Sequence, residues 1–166
     1  MSEAFQHPEH PELAVTVKPV AVRVTDSRGE TLDAEIFLHA DSGHHPGPET
    51  LGDRLNDPEG RFMPCRIDGE IQLLHLDRVA WVEQDDLASE AAELEEMEAG
   101  RTPAELILVT GETLRGDFLY LMPEERSRPS DALNRSTTPF LLLLTPTEAT
   151  RWVHRAAIAR VRFLEP

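Results

Sequence analysis

The distribution of apolar and polar positions along the chain predicts short β-strands. In the first half, apolar residues alternate with polar ones, which is typical of strands half-buried in a sheet. The predicted strands are residues 20–25, 32–38, 61–67, 70–76 and 79–83. Asp68-Gly69 joins the third and fourth strands and is typical of a type I′ hairpin turn. Residues 49–56, in the long polar loop before the third strand, predict one short helical turn.

The second half repeats the order of the first. Residues 111–114 read Gly-Glu-Thr-Leu, as do residues 29–32. An Asp-x-Leu-Asn element at residues 53–56 returns at residues 131–134, and in both copies a phenylalanine follows the asparagine by six positions. Matched anchors in the same order, with loops of different length between them, indicate a tandem duplication.

These patterns predict an all-β (mainly β) fold of two tandem small five-stranded barrels joined by an acidic α-helix. The expected organisation is a flexible N-terminal arm (1–18), a first module (19–83), a helical acidic linker (84–103) and a second module (104–166). In the linker, apolar residues recur at near-helical spacing among many Glu and Asp residues, and Gly100 is a helix stop signal.

Charge and cysteine content narrow the range of functions. The formal net charge is -15, from 31 acidic and 16 basic residues, and such a field repels phosphate backbones and anionic lipids. Nucleic acid is therefore disfavoured as a partner. The single cysteine, Cys65, excludes an intramolecular disulfide and a cysteine-based zinc site, and its alternating segment predicts a buried, inert thiol. With no signal-peptide pattern and no long apolar run, we expect a cytoplasmic protein without membrane contact.

The shared Asp-x-Leu-Asn-x5-Phe element has two interpretations. In the structural one, Asp and Asn accept backbone N–H groups and hold the loop in shape. Leu55 and Leu133 then pack the loop onto the barrel, and Phe62 and Phe140 start the next strand inside the core. In the functional one, the polar residues of both copies line a binding surface. These candidate binding residues are Asp53, Asn56, Asp131 and Asn134.

The histidines suggest metal binding or catalysis only weakly. The loop that contains His39, Asp41, His44 and His45 offers nitrogen and oxygen ligands, but its spacing fits no standard zinc pattern and the second half has no histidine there. We therefore expect no metal, no cofactor and no catalytic residues. His75 and His154 occupy matching positions late in a strand, which indicates a packing or hydrogen-bonding role common to both modules.

Three short motifs together resemble those of a group of uncharacterised bacterial domains with a small Sm-like or SH3-like barrel. They are the Gly-Glu-Thr-Leu turn, the Asp-x-Leu-Asn loop, and the closing Ile/Val-Ala-x-Val strand at residues 79–82 and 158–161. The resemblance implies assembly into rings and RNA binding through loops, including an Arg-Gly step near the last two strands. That step is absent, since residues 76–79 read Leu-Asp-Arg-Val and residues 154–157 read His-Arg-Ala-Ala.

The sequence favours a non-enzymatic adaptor or scaffold that binds another protein, whose identity the sequence does not give. The duplicated module has strand edges that need covering, so homo-oligomers are a second expectation. The alternative is an Sm-like RNA-binding protein that uses loop surfaces. A metal-dependent activity of residues 39–45 is the third hypothesis.

Overall fold

The structure is a computed structural model that describes residues 17–43, 45–84, 99–121, 128–147 and 149–165. Within these residues the protein is mainly β, with ten strands and two short α-helices. The prediction of a mainly β fold is confirmed. The predicted acidic helix of the linker falls on residues 85–98, which lie outside the described residues, as do residues 1–16 of the predicted arm.

The first half contains five strands and one helix. These are β1 (Val17–Asp26), β2 (Thr31–His39), α1 (Leu51–Leu55), β3 (Phe62–Ile67), β4 (Glu70–His75) and β5 (Val79–Gln84). A 3₁₀ turn, Leu76–Arg78, joins β4 to β5. Asp68 and Gly69 both have positive φ angles, 52° and 79°, as the predicted type I′ turn requires.

The second half repeats this order of elements. It contains β6 (Gly100–Leu108), β7 (Thr113–Tyr120), α2 (Pro129–Arg135), β8 (Phe140–Leu144), β9 (Thr150–His154) and β10 (Ile158–Phe163). A 3₁₀ turn, Arg155–Ala157, joins β9 to β10. In the described residues, neither α-helix has the length or the apolar content that crossing a membrane requires.

The ten strands form one antiparallel sheet in the order β10-β6-β7-β8-β9-β5-β1-β2-β3-β4. Each half contributes five adjacent strands in the same order, with its last strand beside its first. The two halves join where β5 pairs with β9, in a register that sets Trp81 opposite Val153 and Glu83 opposite Arg151. Within the described residues the sheet is open, and β4 and β10 are its two edge strands.

Two strands begin earlier than the sequence pattern predicts. β1 begins at Val17, inside the predicted arm, because Val17 pairs with the end of β2. β6 begins at Gly100, which was predicted to end a helix, because the long partner strand β7 extends the ladder to a Gly100–Tyr120 pair. A Cβ atom at Gly100 would lie 2.4 Å from the ring of Tyr120, so a larger residue there would have to displace that ring.

The hydrophobic core of each half contains an aromatic residue that belongs to the other half. Phe140, the first residue of β8, packs into the core of the first half, beside residues such as Ile36 and Leu55. Trp81 of β5 packs in the opposite direction, into the second-half core around Leu106. Burying one such side chain contributes about 1.5–3 kcal/mol. The pairing of β5 with β9 is thus reinforced by aromatic residues that cross it.

Candidate protein interface

Asp53 stabilises the loop that precedes β3. Thr50 is the N-cap of α1, and its hydroxyl accepts the N–H of Asp53 at 3.1 Å while the Asp53 carboxylate accepts the N–H of Thr50 at 3.0 Å. The ring of His45 lies 2.6 Å from the same carboxylate. Burial alone would raise the pKa of Asp53, but hydrogen bonds from Thr50 and His45 outweigh it and lower that pKa. Asp53 therefore acts as the structural interpretation predicts.

Asn56 connects the two halves. Its side-chain oxygen accepts the backbone N–H of Phe140 at 2.8 Å, and its own N–H caps α1 by donating to the carbonyl of Gly52. The sequence pattern predicts that such an asparagine holds its own loop. The structure instead shows it fixing the start of β8 in the other half, so the Asp-x-Leu-Asn element of the first half belongs to the junction.

The second copy of the element is less enclosed. Asp131 lies in the first turn of α2 and Asn134 is exposed near its end. Leu133 is only partly buried, whereas its counterpart Leu55 is fully buried. The four predicted binding residues thus lie at two separate helices, Asp53 within α1 and Asn56 at its end, and Asp131 and Asn134 within α2.

The prediction that both phenylalanines start a strand inside the core is correct for Phe140 and wrong for Phe62. Phe140 is 1% exposed, whereas Phe62 is 60% exposed. The cause is the position of each half in the sheet. Phe140 faces the core of the neighbouring half, while Phe62 begins β3, next to the edge strand, where the described residues provide no second core to receive it.

The two matched histidines pack against these phenylalanines, as the sequence indicates. His75 stacks on Phe62 at a ring distance of 4.3 Å, and His154 meets Phe140 edge-on at 4.9 Å. His154 also accepts the N–H of Ala156 on Nδ1, so its proton lies on Nε2, 3.3 Å from the carboxylate of Asp77. Burial lowers the pKa of His154, and the hydrogen bond from Arg61 lowers that of Asp77.

An ion pair between Glu83 and Arg151 crosses the junction. Glu83 of β5 is buried between two guanidinium groups, that of Arg23 at 3.3 Å and that of Arg151 on β9 at 2.5 Å. Arg151 also lies over the ring of Trp81, 4.6 Å from its centre. Of the basic residues near the end of the chain, Arg155 donates to the carbonyls of Leu133 and Ser136. These cations are therefore used inside the protein.

The histidine loop and the cysteine are not brought together with other ligands. His45 bonds to Asp53, and the backbone N–H of His39 donates to Glu49; His44 lies outside the described residues. Among the residues that are described, no group of three or more His, Cys, Asp and Glu side chains is placed to hold a metal ion. Cys65 is fully buried, and burial raises the pKa of its thiol, so the prediction of a buried thiol is confirmed.

An exposed apolar surface lies on the hairpin of β3 and β4. Phe62, Ile71 and Leu73 are 60%, 59% and 66% exposed, and the strand register places all three on one face of the hairpin. On the opposite face, Met63 and Cys65 of β3 are buried. We call these three residues and the β4 strand the β4 edge.

The sequence interpretation missed the β4 edge, although the sequence contains a signal for it. Residues 71–74 read Ile-Gln-Leu-Leu, so apolar residues fall on both faces of β4 and not only on the face toward the core. A strand with one solvated face normally alternates apolar and polar residues. The apolar side chains of the second face therefore favour contact with another apolar surface over contact with water.

Comparison of the chain with protein-family models, with curated proteins and with solved structures finds no match in any of the three. The functional interpretation consequently rests on the geometry of this sheet and its edges.

Proposed function

We propose that this protein is a non-enzymatic scaffold that binds another protein through the β4 edge. The observation that carries the proposal is the set of three exposed apolar side chains, Phe62, Ile71 and Leu73, beside a strand that pairs on one side only among the described residues. An edge strand offers N–H and C=O groups to an incoming strand, and stable monomers usually block such edges with charges, bulges or proline. Apolar side chains at an open edge favour a partner.

The environment of the titratable groups supports a role without catalysis. Asp53, His154 and Glu83 are each held by neighbouring groups that use their hydrogen-bonding capacity inside the fold. A catalytic acid or base must instead reach the reacting group of a substrate. The polar groups at the junction are therefore better suited to hold the two halves together than to act in catalysis.

We also propose that each five-stranded half is a small barrel of the Sm-like type. The shared strand order, the short helix between the second and third strands and the 3₁₀ turn before the last strand support this assignment. Fold type by itself assigns no function, so the scaffold proposal depends on the β4 edge and not on the barrel.

The scaffold proposal is tested by affinity capture from cell extract with the immobilised full chain. We expect captured proteins to disappear when Ile71→Lys and Leu73→Lys are introduced together, because lysine places a charge where the partner requires apolar contact. The matched control is Val109→Lys. Val109 is also 60% exposed but lies at the turn after β6, away from the β4 edge. Capture that is absent, or equally strong in both variants, contradicts the proposal.

A further inference from the structure

A pocket opens in the second half where the ladder between β7 and β8 ends. The last pair of the described ladder is Leu119 with Leu142, although β7 continues to Tyr120 and β8 begins at Phe140. The ends of these strands, α2 and the residues that follow α2 line the gap. Its volume is about 430 Å³, within the range of about 300–1,000 Å³ that is typical of small-molecule sites. We call it the β7–β8 pocket.

The equivalent place in the first half is filled by side chains. There Leu38, near the end of β2, and Leu55 of α1 are buried in one cluster with Met63. The sequence match between the halves pairs these two leucines with Tyr120 and Leu133, which are both only partly buried. An unfilled cavity forfeits packing contacts. A cavity that one copy fills and the other leaves open therefore favours a ligand.

The walls of the β7–β8 pocket combine apolar surface with a positive charge. Phe118, Leu141 and Trp152 are among its apolar lining residues. Arg135, in the last turn of α2, also lines it and is exposed to solvent. Among the described lining residues there is no Asp or Glu, although the chain has 31 acidic and 16 basic residues. The pocket thus has the surface and the charge that suit an apolar anion.

The carbonyl groups at the end of α2 do not oppose an anion, because they are bonded to a cation. The end of a helix carries a partial negative charge on its unpaired carbonyl groups. In α2 the guanidinium of Arg155 donates to the carbonyls of Leu133 and Ser136. Arg135 then supplies a further positive charge at this wall, and a guanidinium can bind a carboxylate through two parallel N–H···O bonds.

The first half contributes Asn56 to the β7–β8 pocket. The side-chain oxygen of Asn56 accepts the backbone N–H of Phe140, and both residues line the pocket. The rest of the Asn56 amide is its N–H₂ group, which is a hydrogen-bond donor and also suits a carboxylate. Because Asn56 and Phe140 meet only when the two halves are joined, this part of the wall exists only in the folded, joined protein.

We infer that the β7–β8 pocket binds a small amphipathic carboxylic acid as its anion. The hydrocarbon part of the ligand packs against the apolar wall that includes Trp152, and its carboxylate pairs with Arg135. A ligand that binds the folded chain and not the unfolded one stabilises the fold, so this acid also strengthens the joined form of the two halves. The inference does not depend on the scaffold proposal, since none of the described lining residues belongs to the β4 edge.

The test follows the two tryptophan indole N–H signals of the isotope-labelled full chain by NMR. Trp152 lines the pocket, whereas Trp81 lies in the second-half core with its indole N–H bonded to Glu112 at 3.0 Å. The variant Trp152→Phe assigns the two signals. The probes are a linear acid, octanoate, and an aromatic acid, phenylbutyrate. We expect at least one of them to shift the Trp152 signal saturably and to leave the Trp81 signal in place.

The role of the charge is tested with the alcohol that corresponds to the acid that binds. The alcohol keeps the hydrocarbon part but cannot form the charged pair, so we expect it to bind about tenfold more weakly. Arg135→Gln should weaken binding of the acid to the level of the alcohol and leave binding of the alcohol unchanged. The matched control is Arg128→Gln, at the exposed opposite end of α2, which should keep the wild-type affinities. Circular dichroism checks the fold of both variants.

Four results would overturn the inference. They are no shift of the Trp152 signal with either acid, equal shifts of the Trp152 and Trp81 signals, an alcohol that binds as tightly as its acid, and an Arg135→Gln variant that binds the acid as the wild type does. The double variant Ile71→Lys with Leu73→Lys should bind the acid with unchanged affinity. Loss of protein capture in that variant therefore tests the scaffold proposal separately from the β7–β8 pocket.

Discussion

At the scale of single residues, the contacts of His154 depend on the integrity of the junction. Its Nδ1 atom accepts the N–H of Ala156, and its Nε2 atom faces Asp77, which belongs to the other half. A proton added to Nδ1 would set two N–H groups against each other. The neutral ring is therefore the form that the fold prefers, in agreement with the lowering of the His154 pKa by burial.

The sign of the resulting pH dependence follows from this preference. The folded-state pKa of His154 lies below the ordinary value of about 6.5 that the unfolded chain shows, so below that pH the unfolded state binds more protons. The stabilisation is complete above about pH 6.5 and is lost as the pH falls toward the folded-state pKa of His154. We expect the urea midpoint to decrease between pH 7.5 and pH 5.5, and His154→Gln to remove part of this decrease.

His75→Gln is the matched control for the pH measurement. His75 occupies the equivalent position in the first half; its Nε2 atom lies 3.5 Å from the carboxylate of Asp77, and its ring stacks on the exposed Phe62. The control variant keeps the hydrogen bond from the N–H of Ala156 to His154, so it should keep the part of the midpoint difference that His154→Gln removes. An equal change in both variants would show that the pH dependence is not specific to the junction.

At the scale of elements, β3 and β8 begin with the same residue type in different surroundings. Phe140→Ala should lower the free energy of unfolding by about 3–5 kcal/mol, as expected for a large aromatic side chain removed from a core. Phe62→Ala should cost less than about 1 kcal/mol, because the exposed ring loses little burial. Urea unfolding measures both costs. Equal costs would contradict the assigned environments.

Most elements could be predicted from the sequence, because local patterns determine them. Apolar-rich segments located β2 and β5, and Asp68-Gly69 specified a turn that requires positive φ at two successive residues. The start of β6 at Gly100 could not be predicted in the same way. The start of β6 depends on the pairing of Gly100 with Tyr120 of β7. Without knowledge of that partner strand, a glycine that begins a strand cannot be distinguished in the sequence from a glycine that ends a helix.

At the scale of the whole molecule, the candidate site was predicted only in part because, like the start of β6, it depends on contacts between segments that are distant in the sequence. The Asp-x-Leu-Asn element was singled out as a candidate site, but the sequence match treats its two copies as equivalent. The sheet makes them unequal, since α1 lies at a covered junction and α2 at an open end. The exposure of Phe62 depends on which neighbour each half has, and internal repetition in a sequence does not specify the order in which repeats pack.

The overall charge and the use of the arginines lead to a prediction about the RNA-binding alternative. RNA binding by small barrels depends on cations that are available to phosphate. In this protein Arg61 is bonded to Asp77, Arg151 to Glu83 and Arg155 to backbone carbonyls, and the net charge is -15. We therefore expect no retention of short single-stranded RNA even at about 50 mM salt, where electrostatic binding is strongest. Binding that weakens steeply with added salt would contradict this expectation and would favour the Sm-like RNA-binding alternative over a scaffold whose edges bind protein.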